Sequence, residues 1–125
     1  MGIRPGAMPP ETIALGVIDE WGELHAVICL NAFYSHYCSM HIASNGRRAW
    51  ATRPVLRAIF GYAFEFLGLG RVNALVSARN IAVQVMALKL GFRFCGFLPD
   101  GADDGGDGIL FGMLREQCPW WEGTV

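Results

Sequence analysis

Between Arg53 and Leu98 the hydrophobic period of the chain changes three times. In RPVLRAIFGYAFEFLGLG, the residues Val55, Leu56, Ile59, Phe60, Ala63, Phe66 and Leu67 recur at helical spacing. RVNALVSA then reads as a strand, IAVQVMALKL as a second helix and FRFCGFL as another strand. Breakers punctuate the changes. Pro54 lacks an N–H and is tolerated only where a helix leaves its N–H groups unpartnered, so the first helix must start between Trp50 and Arg53. Gly68 is its predicted stop. Asn80 stands where an N-cap is needed, and Gly91 where a left-handed residue ends the second helix and Phe92 turns back to the core. Helices set between strands demand a sheet with at least one parallel pair.

The flanking segments extend that sheet. TIALGVIDE and GELHAVICLNAF read as two strands joined by a turn at Glu20-Trp21-Gly22, and YCSMHIA reads as a third. SNGRRAWAT is a loop. GILFGMLRE is the last strand, set off by the acidic, glycine-rich PDGADDGGDG. The expected fold is α/β: a mixed central sheet of about six strands with two main helices, parallel pairing in the middle and antiparallel meanders at the ends. Residues 12–121 are expected to form one domain, after a loose lead-in over 1–11 and before a tail over 122–125.

Composition narrows the function. The formal net charge is −1 and no basic block stands out, which argues against broad electrostatic binding to nucleic acid. No apolar run reaches the roughly 18 residues of a membrane span, and the N-terminus lacks the apolar core of a signal peptide. Cys29, Cys38, Cys95 and Cys118 are scattered without a C-x-x-C; they read as reduced thiols packed like small hydrophobes, which implies a cytoplasmic setting. A hydrophobic content of 53% is high for a soluble domain and points to an apolar pocket or a subunit interface, so a homodimer is expected.

The order of these pieces carries a resemblance. A strand, an Asn-capped helix ending in KLGF, a strand with a glycine (RFCGF) and a final LFGMLRE before a tryptophan resemble the C-terminal half of the GCN5-related N-acetyltransferases. The pattern is most similar to the branch acting on ribosomal proteins and small molecules, and RRAWATRPVLRAIFGYAFEFLGLGRVNALV resembles that branch's upstream half. The resemblance covers residues 45–121. It implies acetyl transfer from acetyl-CoA to a primary amine of a protein N-terminus, a lysine or a small molecule. No metal is implied.

The resemblance also assigns binding residues. The cofactor pyrophosphate would sit on amides of the loop opening the first long helix: Gly46, Arg47, Arg48, Ala49, Trp50, Ala51 and Thr52. Helix N-termini favour anions, and Arg47 and Arg48 add full charges. Gly46 stands where the family pattern has Gln or Arg, and Ala49 where it has glycine. The family parts two central strands so that the pantetheine arm pairs with a free strand edge, here His41, Ile42 and Ala43, with Asn80 facing the arm from the other side. The family's first strand and the helices walling its acceptor site have no counterpart before residue 12, so an open acceptor pocket, or one completed by a second subunit, is expected.

The proton chemistry is less determined. Many relatives protonate the leaving thiolate with a tyrosine whose position corresponds to Ala87. His41 and His25 are the candidate bases, with Glu23 and His36 as further, weaker ones, and each histidine reads first as a surface or satisfied core residue and only second as a catalyst. Asp100, Asp103, Asp104 and Asp107 could attract a cationic amine or form a solvated turn; their spacing does not fit a calcium loop. CPWW is expected to pack on the core or on a partner subunit. A non-catalytic binding or assembly module of the same fold, such as an acyl-CoA sensor, is the alternative function.

Overall fold

The computed structural model describes residues 11–44 and 49–120. Strands β1 (Ile13–Ile18), β2 (Leu24–Asn31) and β3 (Tyr37–Ser44) form an antiparallel meander. Its first turn is built locally: Asp19 Oδ1 accepts the Trp21 and Glu23 amides at 2.9 and 3.0 Å, and Gly22 supplies the positive φ of 82°.

Helix α1 (Arg53–Gly61) begins as Pro54 requires. It then widens into a π-helical turn over Tyr62–Phe66, and Gly68 leaves the helix at φ 69°. This corrects the expected α-helical stripe. A π turn adds a residue per turn and rotates the face that follows. Phe64, off the stripe, is fully buried, while Phe66, on it, is 75% exposed and stacks on Tyr62 at 5.0 Å.

Strand β4 (Arg71–Ser77), helix α2 (Ile81–Leu90), strands β5 (Arg93–Leu98) and β6 (Gly108–Leu114), and a short 3-10 turn over Arg115–Gln117 complete the described chain. The six-stranded sheet has the order β1-β2-β3-β4-β6-β5. Strand β6 inserts antiparallel between β4 and β5, so β5 lies at the edge. The one parallel pair among the described residues, β3 with β4, is three residues long: Tyr37, Cys38 and Ser39 face Arg71, Val72 and Asn73.

Strand alternation sorts the side chains. Ala26, Ile28 and Leu30 of β2, Cys38 and Met40 of β3, Val72 and Val76 of β4, and Phe111 and Met113 of β6 share one cluster with Leu56, Ile59 and Phe60 of α1 and Ala87 and Leu90 of α2. Both helices therefore pack on the same face. Burying a side chain such as Phe60 stabilises the fold by roughly 1.5–3 kcal/mol, and its ring meets Phe92 at 6.1 Å, tying α1 to the exit from α2. Trp120 closes the end by donating its indole N–H to the Leu90 carbonyl at 2.7 Å. The opposite face carries Cys29, Asn31, Ser39, His41 and Asn73, and no described helix covers it.

All four cysteines are free; Cys29, Cys38 and Cys118 are buried as expected. Cys95 is not. It lies on the edge strand, exposed, with Arg71 Nη2 donating to its sulfur at 3.2 Å. No described helix is long and apolar enough to cross a membrane.

Candidate functional site at the parted strands

The β3–β4 ladder ends at Ser39 and Asn73. Beyond that point β3 continues to Ser44 paired only with β2, and β4 continues to Ser77 paired only with β6. The two strands thus diverge from Met40 and Ala74 onward. Their divergence opens a narrow apolar cavity of about 30 Å³, lined by Met40, Ile42, Ala74, Val76, Met86 and Ala87 among others. A parallel pair that stops halfway leaves one edge of β3 facing a gap, which an extended polar chain can fill by adding backbone-type hydrogen bonds.

The two helices start differently. At α2 the Asn80 side-chain oxygen accepts the Val83 amide at 3.2 Å, satisfying one of the orphan donors of the first turn. At α1 the corresponding residue, Thr52, makes no side-chain cap, and the first turn holds no acidic residue. The α1 mouth therefore keeps the partial positive charge and unpartnered amides that suit an anion. Beside it lies a cavity of about 290 Å³ lined by Trp50, Ala51, Leu56, Met86, Lys89, Leu90 and Trp120. Trp50 is itself buried, so its side chain belongs to the wall of this cavity and to the core. Ala49 and Thr52 are exposed at the mouth. Gly46, Arg47 and Arg48 lie outside the described residues.

On the face away from the helices, where the strands part, sits His41. Its Nε2 lies 3.1 Å from the side-chain oxygen of Asn31, the one buried polar residue among those described. Burial holds the His41 pKa below its ordinary 6.5, and the negative charge of Asp103 partly opposes that shift. The acids of the β5–β6 loop are not equivalent. Asp104 accepts from the Ser77 hydroxyl at 2.6 Å and the Gly106 amide at 2.8 Å, and Asp107 accepts the Asp100 amide at 3.0 Å. Those two shape the loop, while exposed Asp103 acts on His41.

The other candidate bases lie elsewhere. His25 is the second residue of β2, four residues from Cys29, about 13 Å along the strand. Its Nε2 meets Asp19 Oδ2 at 2.9 Å. Glu23 joins them, the three donor atoms lying within 4.8 Å of one another at the first hairpin. His36 lies on the β2–β3 connection, its ring against Gly70. Ala87, in the position of the expected acid, is a buried methyl on the cavity wall. The sequence reading missed Asn31, which has no mark there beyond being polar at the end of an apolar strand.

No family model matches the sequence, and no curated protein is similar to it at a significant level. Solved structures are similar. A mutant of the spermidine N-acetyltransferase SpeG from Vibrio cholerae superposes with a TM-score of 0.73 at 18% identity, over 86% of this chain and 68% of that one. The fold is that of the GCN5-related N-acetyltransferases. A candidate ribosomal-protein-serine acetyltransferase from the same organism matches with a TM-score of 0.73 at 23% identity, over 84% of this chain and 65% of its own. The chain spans about two thirds of the length of these acetyltransferase-fold neighbours.

Proposed function

We propose that this chain is an N-acetyltransferase that moves an acetyl group from acetyl-CoA to a primary amine by direct attack. The observation that carries the reading is the parted β3–β4 pair beside a helix mouth without a side-chain cap. The residues present fit the donor. Amides at the start of α1, with Ala49, Trp50, Ala51 and Thr52, suit its diphosphate. The β3 edge at His41, Ile42 and Ala43 suits its amide-bearing arm, with Asn80 across the gap, and the cavity at Trp50, Lys89 and Trp120 suits its nucleotide end. Gly46, Arg47 and Arg48 would complete the phosphate seat. Bound there, acetyl-CoA supplies the activated thioester.

The chain's own task is to orient the amine and take its proton. An α-amine with a pKa near ~8 needs little help at neutral pH, and a lysine-type amine near ~10.4 needs more. His41, neutral and at the parting of the strands, is the base. Asp103 gives a cationic amine a favourable approach to it. Spermidine, the substrate in one neighbour's name, is such an amine. The apolar edge strand β5, with Phe94 and Phe97 exposed by 63% and 54%, is the surface where the expected homodimer would form.

Ala87 favours a second reading, because a methyl group cannot protonate a leaving thiolate. In that reading the chain binds acyl-CoA without turnover. Calorimetry with acetyl-CoA and a thiol-release assay across α-amines, lysine peptides and polyamines separate the two. Binding with amine-dependent thiol release supports the transferase; binding alone supports the module; no binding at millimolar acetyl-CoA removes both.

A further inference from the structure

His41 and Asn31 are brought together by register alone. In the β2–β3 ladder Cys29 lies opposite His41 and Asn31 opposite Ser39, so Asn31 is the diagonal neighbour of His41 on the face away from the helices. Strand β2 ends at Asn31, and the next residue, Ala32, takes a left-handed φ of 51°. That conformation is costly for a residue with a Cβ and persists only where its surroundings hold it. The Asn31 side chain is 3% exposed and is held in place by its surroundings.

The contact decides the chemistry of the ring. An amide oxygen carries no hydrogen and can only accept. The His41 nitrogen 3.1 Å from Asn31 Oδ1 is Nε2, so the contact is a hydrogen bond only when Nε2 bears the proton. In the neutral imidazole the other nitrogen, Nδ1, then carries the lone pair. Burial favours the neutral ring, and Asp103 partly opposes it. Cys29, opposite across the ladder, has its thiol pKa raised by burial and stays protonated. Arg71, on the same face from β4, is turned to Asn73 Oδ1 and Cys95 Sγ. Asp103, from the β5–β6 loop, is the one negative charge acting on the ring among the described residues.

We propose that Asn31 is the positioning residue for acetyl transfer: its side-chain oxygen fixes the Nε2–H tautomer of His41 and so makes Nδ1 the atom that receives the proton of the attacking amine. In that step the amine nitrogen forms its bond to the acetyl carbon, and the carbon–sulfur bond breaks with its electron pair leaving on sulfur. The amine's proton passes to His41 Nδ1, the sulfur takes a proton from water, and the hydroxide so formed takes the proton from Nδ1, restoring the neutral ring. The assignment rests on the transferase reading above.

The test reads the ring directly and then the reaction. Long-range ¹H–¹⁵N NMR of the whole chain, free of acetyl-CoA, reports which ring nitrogen of His41 is protonated. The expected result is Nε2–H in the wild type and a mixture of tautomers in Asn31→Ala. With acetyl-CoA and the preferred amine, Asn31→Ala should lower kcat about tenfold or more with little change in the KM for acetyl-CoA. Asn31→Asp should move the acid limb of the kcat profile to higher pH, because a carboxylate beside the ring favours its protonated form. The wild-type tautomer needs no variant, so a variant that fails to fold leaves a decisive measurement. An Nδ1–H ring in the wild type overturns the assignment, as does an unchanged kcat and tautomer in folded Asn31→Ala. Acetyl-CoA binding and turnover with the wrong tautomer sink the Asn31 assignment alone; absence of turnover with every amine sinks the transferase reading and the catalytic role of Asn31 with it.

Discussion

Asn80 and Val83 close the first turn of α2 with one bond, side-chain oxygen to backbone amide at 3.2 Å, while Thr52 leaves the first turn of α1 without one. The asymmetry separates a structural helix start from one free to meet an anion. Replacing Asn80 by alanine removes the α2 cap and should cost about 1 kcal/mol of stability. Urea denaturation of the variant is the check, with the midpoint falling and the slope unchanged.

At the other end of α2, Gly91 takes φ 103°, and a Cβ there would lie 3.0 Å from Pro119 Cδ. Gly91→Ala therefore meets backbone strain and a crowded neighbour together. A loss of about 1–2 kcal/mol is expected from the backbone alone. Thermal unfolding that matches wild type would refute it.

The lowered pKa of His41 makes a pH-dependent contribution to stability. Its folded-state value lies below the unfolded 6.5, so folding favours the neutral ring. The contribution is complete above pH 6.5 and is lost as pH falls through the folded-state value. Wild-type stability should decline on acidifying from pH 7, and His41→Gln should flatten that part of the curve. Equal slopes in the two proteins would rule it out.

The thiols should react in an order set by burial and ionisation, since the thiolate is the nucleophile. Cys38 is fully buried, with its pKa pushed up to about 11, and Cys29 is also raised by burial. Cys95 is exposed under the Arg71 guanidinium. A disulfide reagent at pH 8 should modify Cys95 first, leaving the others until the protein unfolds. Peptide mapping by mass spectrometry reads the order directly.

Strand β5 exposes Phe94, Phe97 and Leu98 at the edge of the sheet. Unprotected apolar edges pair with another chain. The proposed homodimer should dissociate in the double variant Phe94→Glu, Phe97→Lys, seen as a halved mass by light scattering. An unaltered mass places the interface elsewhere or excludes it.

Local chemistry was legible in the sequence. Pro54 set the start of α1, Asn80 capped α2 and Gly91 ended it, because each acts through backbone groups within three or four residues. Strand alternation and helix period yielded the mixed sheet and its two helices for the same reason. The ordered motifs around KLGF also pointed to the acetyltransferase fold. Gly46, Arg47 and Arg48, read as part of a phosphate seat, lie outside the described residues.

What the tertiary structure decided depends on partners distant along the chain. The insertion of β6 between β4 and β5, and the halt of the β3–β4 ladder after three pairs, follow from packing across the whole sheet. Edge position exposed Cys95 where its apolar neighbours suggested burial. The π turn buried Phe64 and turned Phe66 outward. Asn31 and His41 stand ten residues apart and meet only because β2 folds back on β3 in one register. Sequence determined which segments could be helix and strand; only the long-range pairing of strands decided where they part and which side chains stand at the opening.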